Sequence, residues 1–189
     1  MKPHTGTRTL ETPRLLLRRY REDDAPFMFA RWCGDPAVTE HLTWPAHASL
    51  DVTRTVLADW IPRYDAPEYY HWAVTVKGLD GPVGDIAVVK LTGGDDISVR
   101  CGEIGWCLGR AFWGQGIMPE AFRAVRDWLF DEAGFTRLCA GHAVANPKSG
   151  RVMMKTGMTR IGTARQAGID NTGIVDMVLY DLLPGDPRL

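Results

Sequence analysis

The feature that most constrains this chain is a change of hydrophobic period between His71 and Gly109. In "HWAVTVK", Trp72, Val74 and Val76 alternate with His71, Ala73, Thr75 and Lys77, the two-residue period of a strand. "GPVGDIAVVKL" reads as its hairpin partner, joined through "GLDGP", and a third strand, "GEIGWCLG", follows the polar loop "TGGDD". Connections this short cannot carry a crossover, so the three strands are expected to form an antiparallel meander.

The flanking segments have a different period. Upstream, "PRLLLRRY" reads as a short strand bounded by Pro and charge. "DDAPFMFARW" reads as a helix with Asp23 or Asp24 as N-cap and Pro26 in its first turn, burying Phe27, Met28 and Trp32. A second helix is expected from about Leu50 to Ile61, stopping near Pro62, with Val52, Val56, Leu57 and Trp60 at helical spacing. Downstream, Met118, Ala121, Phe122, Val125, Trp128 and Leu129 form one apolar stripe that ends at Gly134. "TRLCAGHAV" then reads as a strand, "NPKSGRVMMKTGM" as a short helix closed by Gly157, and "MTRIGTA" and "IVDMVLYDL" as final strands. Strands alternating with helices from Gly102 onward predict a mixed α/β layout. No linker rich in Pro, Gly or Ser divides the chain, so residues 1–189 are expected to form a single domain.

Composition narrows the class. The chain has 189 residues, 45% hydrophobic and 24% charged, the profile of an ordinary globular protein. A formal net charge of −1 gives no overall pull toward nucleic acid or membrane. Cys33, Cys101, Cys107 and Cys139 show no CxxC spacing and no His cluster, which argues against a metal site or disulfide framework and for free thiols in a reducing cytoplasm. "MKPHTGTRTLETPR" lacks the apolar core of a signal peptide, and no apolar run approaches membrane-spanning length.

Two junctions between strand and helix carry chemical interest. In "WGQGIMPEAF", Gly114 and Gly116 directly precede the long helix. A helix start presents free N–H groups and the positive end of the dipole, which suits anions and phosphates above all. Glycines there let the backbone approach a pyrophosphate without a Cβ in the way, although a tight turn alone explains them too. The segment matches neither GxGxxG nor a P-loop. In "HAVANPKSGRVMMKTGM", Asn146 and Pro147 read as N-cap and first helical residue, with Ser149 in the first turn.

Together, "LETPRLLLRRYREDD", "EIGWCLGRAFWGQGIMPEAF" and "HAVANPKSGRVMMKTGM" resemble, in order and spacing, the GNAT superfamily of N-acetyltransferases. The resemblance is nearest to the branch that acetylates the N-terminal amines of ribosomal proteins, and it runs from about Leu10 to Asp181. It implies a mixed, centrally splayed sheet of about seven strands flanked by about four helices, with acetyl-coenzyme A entering the splay. It places the pyrophosphate loop on Trp113, Gly114, Gln115, Gly116, Ile117 and Met118, with backbone donors for cofactor and oxyanion around Trp106, Cys107 and Leu108. The family's basic or amide residue before the first glycine is replaced by Ala111, with Arg110 beside it.

The resemblance also assigns roles in the reaction. Glu103 matches the family's general base, acting directly or through a water; a solvated carboxylate is the competing reading. The Tyr that many members use as an acid is Met153 here, and Ser149 stands as its substitute, with Asn146 anchoring the pantetheine arm. His142, His71 and Trp44 read better as structural residues, and Cys107 as a nucleophile lacks a base at recognisable spacing. The acceptor is expected to be a primary amine, on a protein N-terminus or a small molecule, without nucleic acid or membrane as partner. A coenzyme A-binding sensor without turnover is the alternative.

Overall fold

The computed structural model describes residues 2–93 and 99–189. Of the predicted "TGGDD" loop, residues 94–96 therefore lie outside the described residues. The described residues contain one eight-stranded sheet: β1 (Leu10–Glu11), β2 (Leu15–Arg18), β3 (His71–Val76), β4 (Pro82–Thr92), β5 (Cys101–Leu108), β6 (Arg137–Ala143), β7 (Thr159–Asp170) and β8 (Gly173–Leu182), in the order β1-β2-β3-β4-β5-β6-β8-β7. The helices are α1 (Ala25–Met28), α2 (Pro36–Thr39), α3 (Leu50–Trp60), α4 (Ile117–Asp131) and α5 (Pro147–Lys155). β3, β4 and β5 form the expected antiparallel meander. The expected layout of about seven strands and about four helices holds closely: among the described residues there are eight strands and five α-helices, the additions β1 and α2 being too short to show a period.

Two further expectations are corrected. α1 does not run on regularly but widens into a π turn over Phe29–Cys33, where Gly34 closes against the Phe29 carbonyl. Val52 does not join the buried stripe of α3; Thr53 and Leu57 face the core, and the chain continues past Pro62 as a 3-10 turn, Ile61–Asp65. Proline fits there because the first turn of a helical segment needs no N–H from it.

Both faces of the central strands are covered. On one, α4 lays Ala121, Phe122, Val125 and Leu129 onto Leu15, Leu17, Trp72, Val74, Ile86 and Ile104. On the other, Met28, Trp32, Val38 and Leu57 pack over Ala73 and Cys107. Strand β3 is buried at five successive residues, His71 to Thr75, as a central strand between two layers must be.

The feature that positions the site is the junction of β5 and β6. α4 returns the chain to β6 parallel to β5, but they pair only over Cys101–Glu103 with Arg137–Cys139. Beyond Glu103, β5 stays with β4 as far as Leu108 opposite Gly84, while β6 stays with β8 as far as Ala143 opposite Met177. The two strands therefore diverge, and the sheet is splayed as the family resemblance implies.

The start of α4 is pinned to the turn between β1 and β2 across this layer. Arg14 donates Nε to Glu120 Oε2 at 2.6 Å and its backbone N–H to Oε1 at 3.1 Å. Thr12 Oγ1 donates to the same Oε1 at 2.6 Å, and Arg14 Nη1 reaches the Gln115 carbonyl at 3.0 Å. Burial raises the Glu120 pKa, but these donors, Thr12 and Arg14, outweigh it and leave the carboxyl below its ordinary value.

Phe122 has no exposed surface, so Phe122→Ala should cost about 3–5 kcal/mol in urea unfolding. Glu120→Gln should cost about 1–2 kcal/mol at pH 7, below the full charged-bond range because Arg14 is half exposed and screened. Since the folded pKa is depressed, that difference should persist above the ordinary carboxylate range and fade as pH falls through the folded value. Unfolding curves of the two proteins between pH 7 and pH 3 measure it.

Candidate active site

Backbone direction decides what the splay presents. In a strand, the N–H and C=O of one residue point the same way, and alternate residues point to opposite neighbours. Arg100 gives its carbonyl to Thr136 and Arg137 on the β6 side, whereas Gly109 donates to Val83 on the β4 side. By this alternation Ile104, Trp106 and Leu108 turn their amides toward β6, which has diverged by that level. Leu108 keeps its carbonyl occupied by Trp113 Nε1 at 2.7 Å. The open side of β5 thus carries backbone groups of Trp106 and Leu108.

Cys107 departs from its expected place. Its amide turns to β4, and its thiol donates to Asp85 Oδ1 at 3.2 Å. Burial, followed by the Asp85 charge, pushes that thiol well above its ordinary pKa, so it stays protonated and is a poor nucleophile.

The glycine turn stands at the mouth of the splay. Gly114 and Gly116 have φ of +78° and +73°, left-handed values that glycine adopts without strain. A Cβ on Gly114 would meet nothing within 4 Å, so the turn is open on that side. Gly116 caps α4, whose first N–H groups have no partner within the helix. Gln115 folds back through Nε2 to the Ala111 carbonyl, at 2.9 Å. Ile117 and Met118 turn their side chains into the core and so leave their backbone at the turn. Arg110 does not replace the missing residue beside the loop; it pairs with Asp35 at 3.1 Å. Lys148, from the first turn of α5, places Nζ 4.0 Å over the ring of Trp113, which brings a cation to the loop from the other side of the splay.

On β6 and α5, Asn146 Nδ2 donates to Ser149 Oγ at 3.2 Å. The Ser149 hydroxyl accepts there, so its own proton is free to point elsewhere. Met153 is completely buried in the core and offers no donor. His142 is structural: Nδ1–H donates to the Ala143 carbonyl at 2.8 Å, and its ring lies against α5 where a Cβ on Gly150 would come within 2.6 Å of Nε2.

Glu103 is exposed, opposite Cys139 on the last pair before the strands part. Its side chain shares a face with Gly105 and Cys107, away from α4. Around Cys107 that face is covered by α1, α3 and the loop after α2, while Glu103 stays exposed. The tip of the β7–β8 hairpin closes over this loop: His41 Nδ1 meets Asp170 Oδ2 at 3.0 Å, and Asn171 Nδ2 donates to the carbonyls of Thr39 and Trp44, both at 2.8 Å. His71 lies inside this face, its Nε2–H donating to Asp85 Oδ2 at 2.7 Å and its Nδ1 bonded to Tyr69 Oη at 2.9 Å.

Of the expected residues, Glu103 stands at the closed end of the gap, Trp106 and Leu108 along β5, the glycine turn before α4, and Asn146 with Ser149 where β6 hands over to α5, while Cys107 turns to β4. Sequence reasoning missed the clamp of Thr12, Arg14 and Glu120, the cation of Lys148, and Asp85. A carboxylate inside the apolar strand "PVGDIAVV" was the available signal for Asp85.

Comparison with known proteins gives a consistent picture. The acetyltransferase (GNAT) domain family matches residues 14–159. The Bacillus subtilis (strain 168) protein named "Probable N-acetyltransferase YjcK" is 31% identical over 118 residues, 62% of this chain and 64% of that protein's length. Two solved structures share the fold. The ribosomal-protein-S5-alanine acetyltransferase of Vibrio fischeri has a TM-score of 0.81 at 19% identity, over 96% of this chain and 100% of that one. The ribosomal L7/L12 α-N-protein acetyltransferase RimL, solved with coenzyme A, has a TM-score of 0.80 at 20% identity, over 93% and 98%. With the splay, the glycine turn and a family match over most of its length, the chain belongs to the GNAT acetyltransferase family.

Proposed function

We propose that residues 1–189 act as one domain that moves the acetyl group of acetyl-coenzyme A onto a primary amine by direct attack. The observation that carries this reading is the splay itself, with unpaired strand amides on one wall and an open, left-handed glycine turn before α4 at its mouth. The fit to coenzyme A is physical. A pyrophosphate needs several convergent N–H groups and a backbone it can approach, which the turn Trp113–Met118 supplies with the helix dipole behind it. Lys148 adds a positive charge beside it. The pantetheine arm, an extended chain with amides, takes the place of the missing strand beside Trp106 and Leu108, with Asn146 on the opposite bank.

The amine must arrive neutral. An α-amino group of pKa about 7.7–8.0 is neutral in about one molecule in eight at pH 7, so a base need remove only an accessible proton. Glu103 has that role, directly or through one water, because it is exposed at the closed end of the splay and on the face away from α4, where an acceptor enters. As the nitrogen bonds to the thioester carbon, the oxygen gains charge and a β5 amide around Trp106 to Leu108 stabilises it. The carbon–sulfur bond then breaks, and Ser149, oriented by Asn146, gives the departing thiolate its proton. Reprotonation needs little help, since a thiol of pKa about 8.5 leaves readily. A location in the cytoplasm accords with four free cysteines, and likeness to ribosomal-protein acetyltransferases makes protein N-termini one acceptor class to assay.

The first test is calorimetric titration with acetyl-coenzyme A. Wild-type protein should bind in the micromolar range, and Gly114→Trp, which forces a large side chain into a left-handed turn, should abolish binding while the protein stays folded. Absence of binding by folded wild-type protein overturns the reading. Turnover, followed by thiol release against an amine panel, separates enzyme from sensor. Glu103→Gln should lower kcat by about 10²–10⁴-fold with acetyl-coenzyme A affinity retained, whereas a sensor has no rate to lose.

A further inference from the structure

We propose that the groove between residues 7–9 and 18–21, at the β1 edge of the sheet, binds a small anion carrying two or more phosphoryl groups. The inference is independent of acetyl transfer: two strands, β3 and β4, separate β2 from β5 and the splay.

The groove exists because β1 and β2 part early. They pair only at Leu10 with Leu17 and at Glu11 with Leu16. Thr12 donates its N–H to the Leu15 carbonyl at 3.0 Å. Hydrogen-bonded positions alternate, so they recur at Leu10 with Leu17 and would next fall on Arg8 with Arg19. That pair is not made. The Arg8 carbonyl instead accepts from Trp72 Nε1 at 2.6 Å. Thr7 Oγ1 accepts the His71 N–H at 2.8 Å and donates to the Tyr69 carbonyl at 2.9 Å. The segment ahead of β1 is thereby anchored to the start of β3 and leaves β2 behind. The space between them holds about 370 Å³ and is lined by four arginines, Arg8, Arg18, Arg19 and Arg21, and by Thr7 and Thr9.

The four guanidiniums are not equivalent. Arg18 is engaged already: its two Nη groups hold Asp24 at 2.7 Å each, and Nη1 also reaches the Arg19 carbonyl at 2.9 Å. Arg19 donates Nε to the Thr7 carbonyl at 3.2 Å and stands 5.2 Å over the ring of Tyr64, which fixes it across the groove. Its Nη groups take no partner among the described residues. Arg8 and Arg21 are exposed, and among the described residues neither guanidinium has an ion pair. Asp24 neutralises Arg18 alone, and no carboxylate lines the groove. Like charges gathered in a cleft between protein walls concentrate the field and draw in an ion of opposite sign.

The donors select the kind of anion. Guanidinium forks match the oxygens of phosphate and of carboxylate. A carboxylate presents its lone pairs in one plane, whereas here donors come from two banks, Arg8 and Thr9 on one, Arg19 and Arg21 on the other. The Arg19 N–H, left without a β1 partner, adds a backbone donor to the second bank. Tetrahedral phosphoryl groups accept from several directions at once, and two or more in a chain span both banks. Tyr20, the one aromatic residue of the lining, is only 4% exposed and offers no face on which a base could stack. The ligand is therefore held by its phosphates.

Calorimetric titration with tripolyphosphate at low salt tests the site. Wild-type protein should bind in the micromolar range, and so should Gly114→Trp, in which the glycine turn no longer competes as a phosphate site. The double variant Arg8→Gln, Arg21→Gln should weaken binding by about tenfold or more. Both side chains are exposed and unpaired, so the variant should keep the fold, which circular dichroism checks; Arg21→Gln alone, with a smaller loss expected, serves if it does not. Inorganic phosphate, which reaches one bank only, and citrate, with planar carboxylates, should each bind more weakly than tripolyphosphate. Absence of binding by folded wild-type protein overturns the proposal. So does binding that the arginine variants leave unchanged, or that only Gly114→Trp removes. Citrate bound as tightly as tripolyphosphate reduces the groove to unselective charge attraction and also overturns it. A uridine octamer bound more tightly than tripolyphosphate through the same arginines marks a nucleic-acid surface in its place and overturns the small-anion assignment.

Discussion

A parallel pairing that lasts only from Cys101 to Glu103 is the constraint on which the rest of the structure depends. β5 and β6 are brought together by α4 and then pulled apart, because each has a better antiparallel partner on its far side. β4 holds β5 to Leu108, and β8 holds β6 to Ala143. The gap leaves strand amides unpaired in the middle of the sheet, a costly arrangement for a fold unless something completes it. In the proposed reaction, the extended, amide-bearing pantetheine arm completes it.

The elements around the gap hold it open from both faces. On the α4 side, Phe122, Val125 and Leu129 seal the sheet, and the Glu120 carboxylate ties the first turn of α4 to Thr12 and Arg14. The glycine turn is thus held by the β1–β2 turn more than a hundred residues earlier in the chain, not by its own sequence alone. On the other side, the β7–β8 tip grips the loop after α2 through His41 and Asn171. The gap is therefore bordered by a different layer on each face of the sheet.

Charge is used sparingly within this frame. A net charge of −1 hides local asymmetry, with Lys148 at the glycine turn and Glu103 and Asp85 on the face of β4 and β5 away from α4. Cys107 lies close to the gap yet is held protonated by burial and by Asp85, which removes it from competition as a nucleophile. His142, in the strand beside the gap, spends its Nδ1 proton on the Ala143 carbonyl and packs against Gly150. The two residue types most often suspected in such a site are thereby assigned structural work.

What the sequence determined by itself was whatever depends on local period and local stereochemistry. Alternation in "HWAVTVK" and "GEIGWCLG", the apolar stripe from Met118 to Leu129, and left-handed glycines before and after α4 were all legible, and three ordered motifs sufficed to name the family. Short elements such as β1 and the π turn at Phe29–Cys33 were not, since two to five residues carry no periodic signal. Tertiary structure alone decided which amides of β5 face the gap, turning Trp106 and Leu108 outward and Cys107 toward β4. It also decided that Arg110 serves Asp35 instead of the loop, and that Asp85 meets His71 and Tyr20. The physical reason is common to all three. Backbone direction, ion-pair choice and burial of a carboxylate are settled by partners distant in sequence, and no local pattern encodes a partner that only folding brings near.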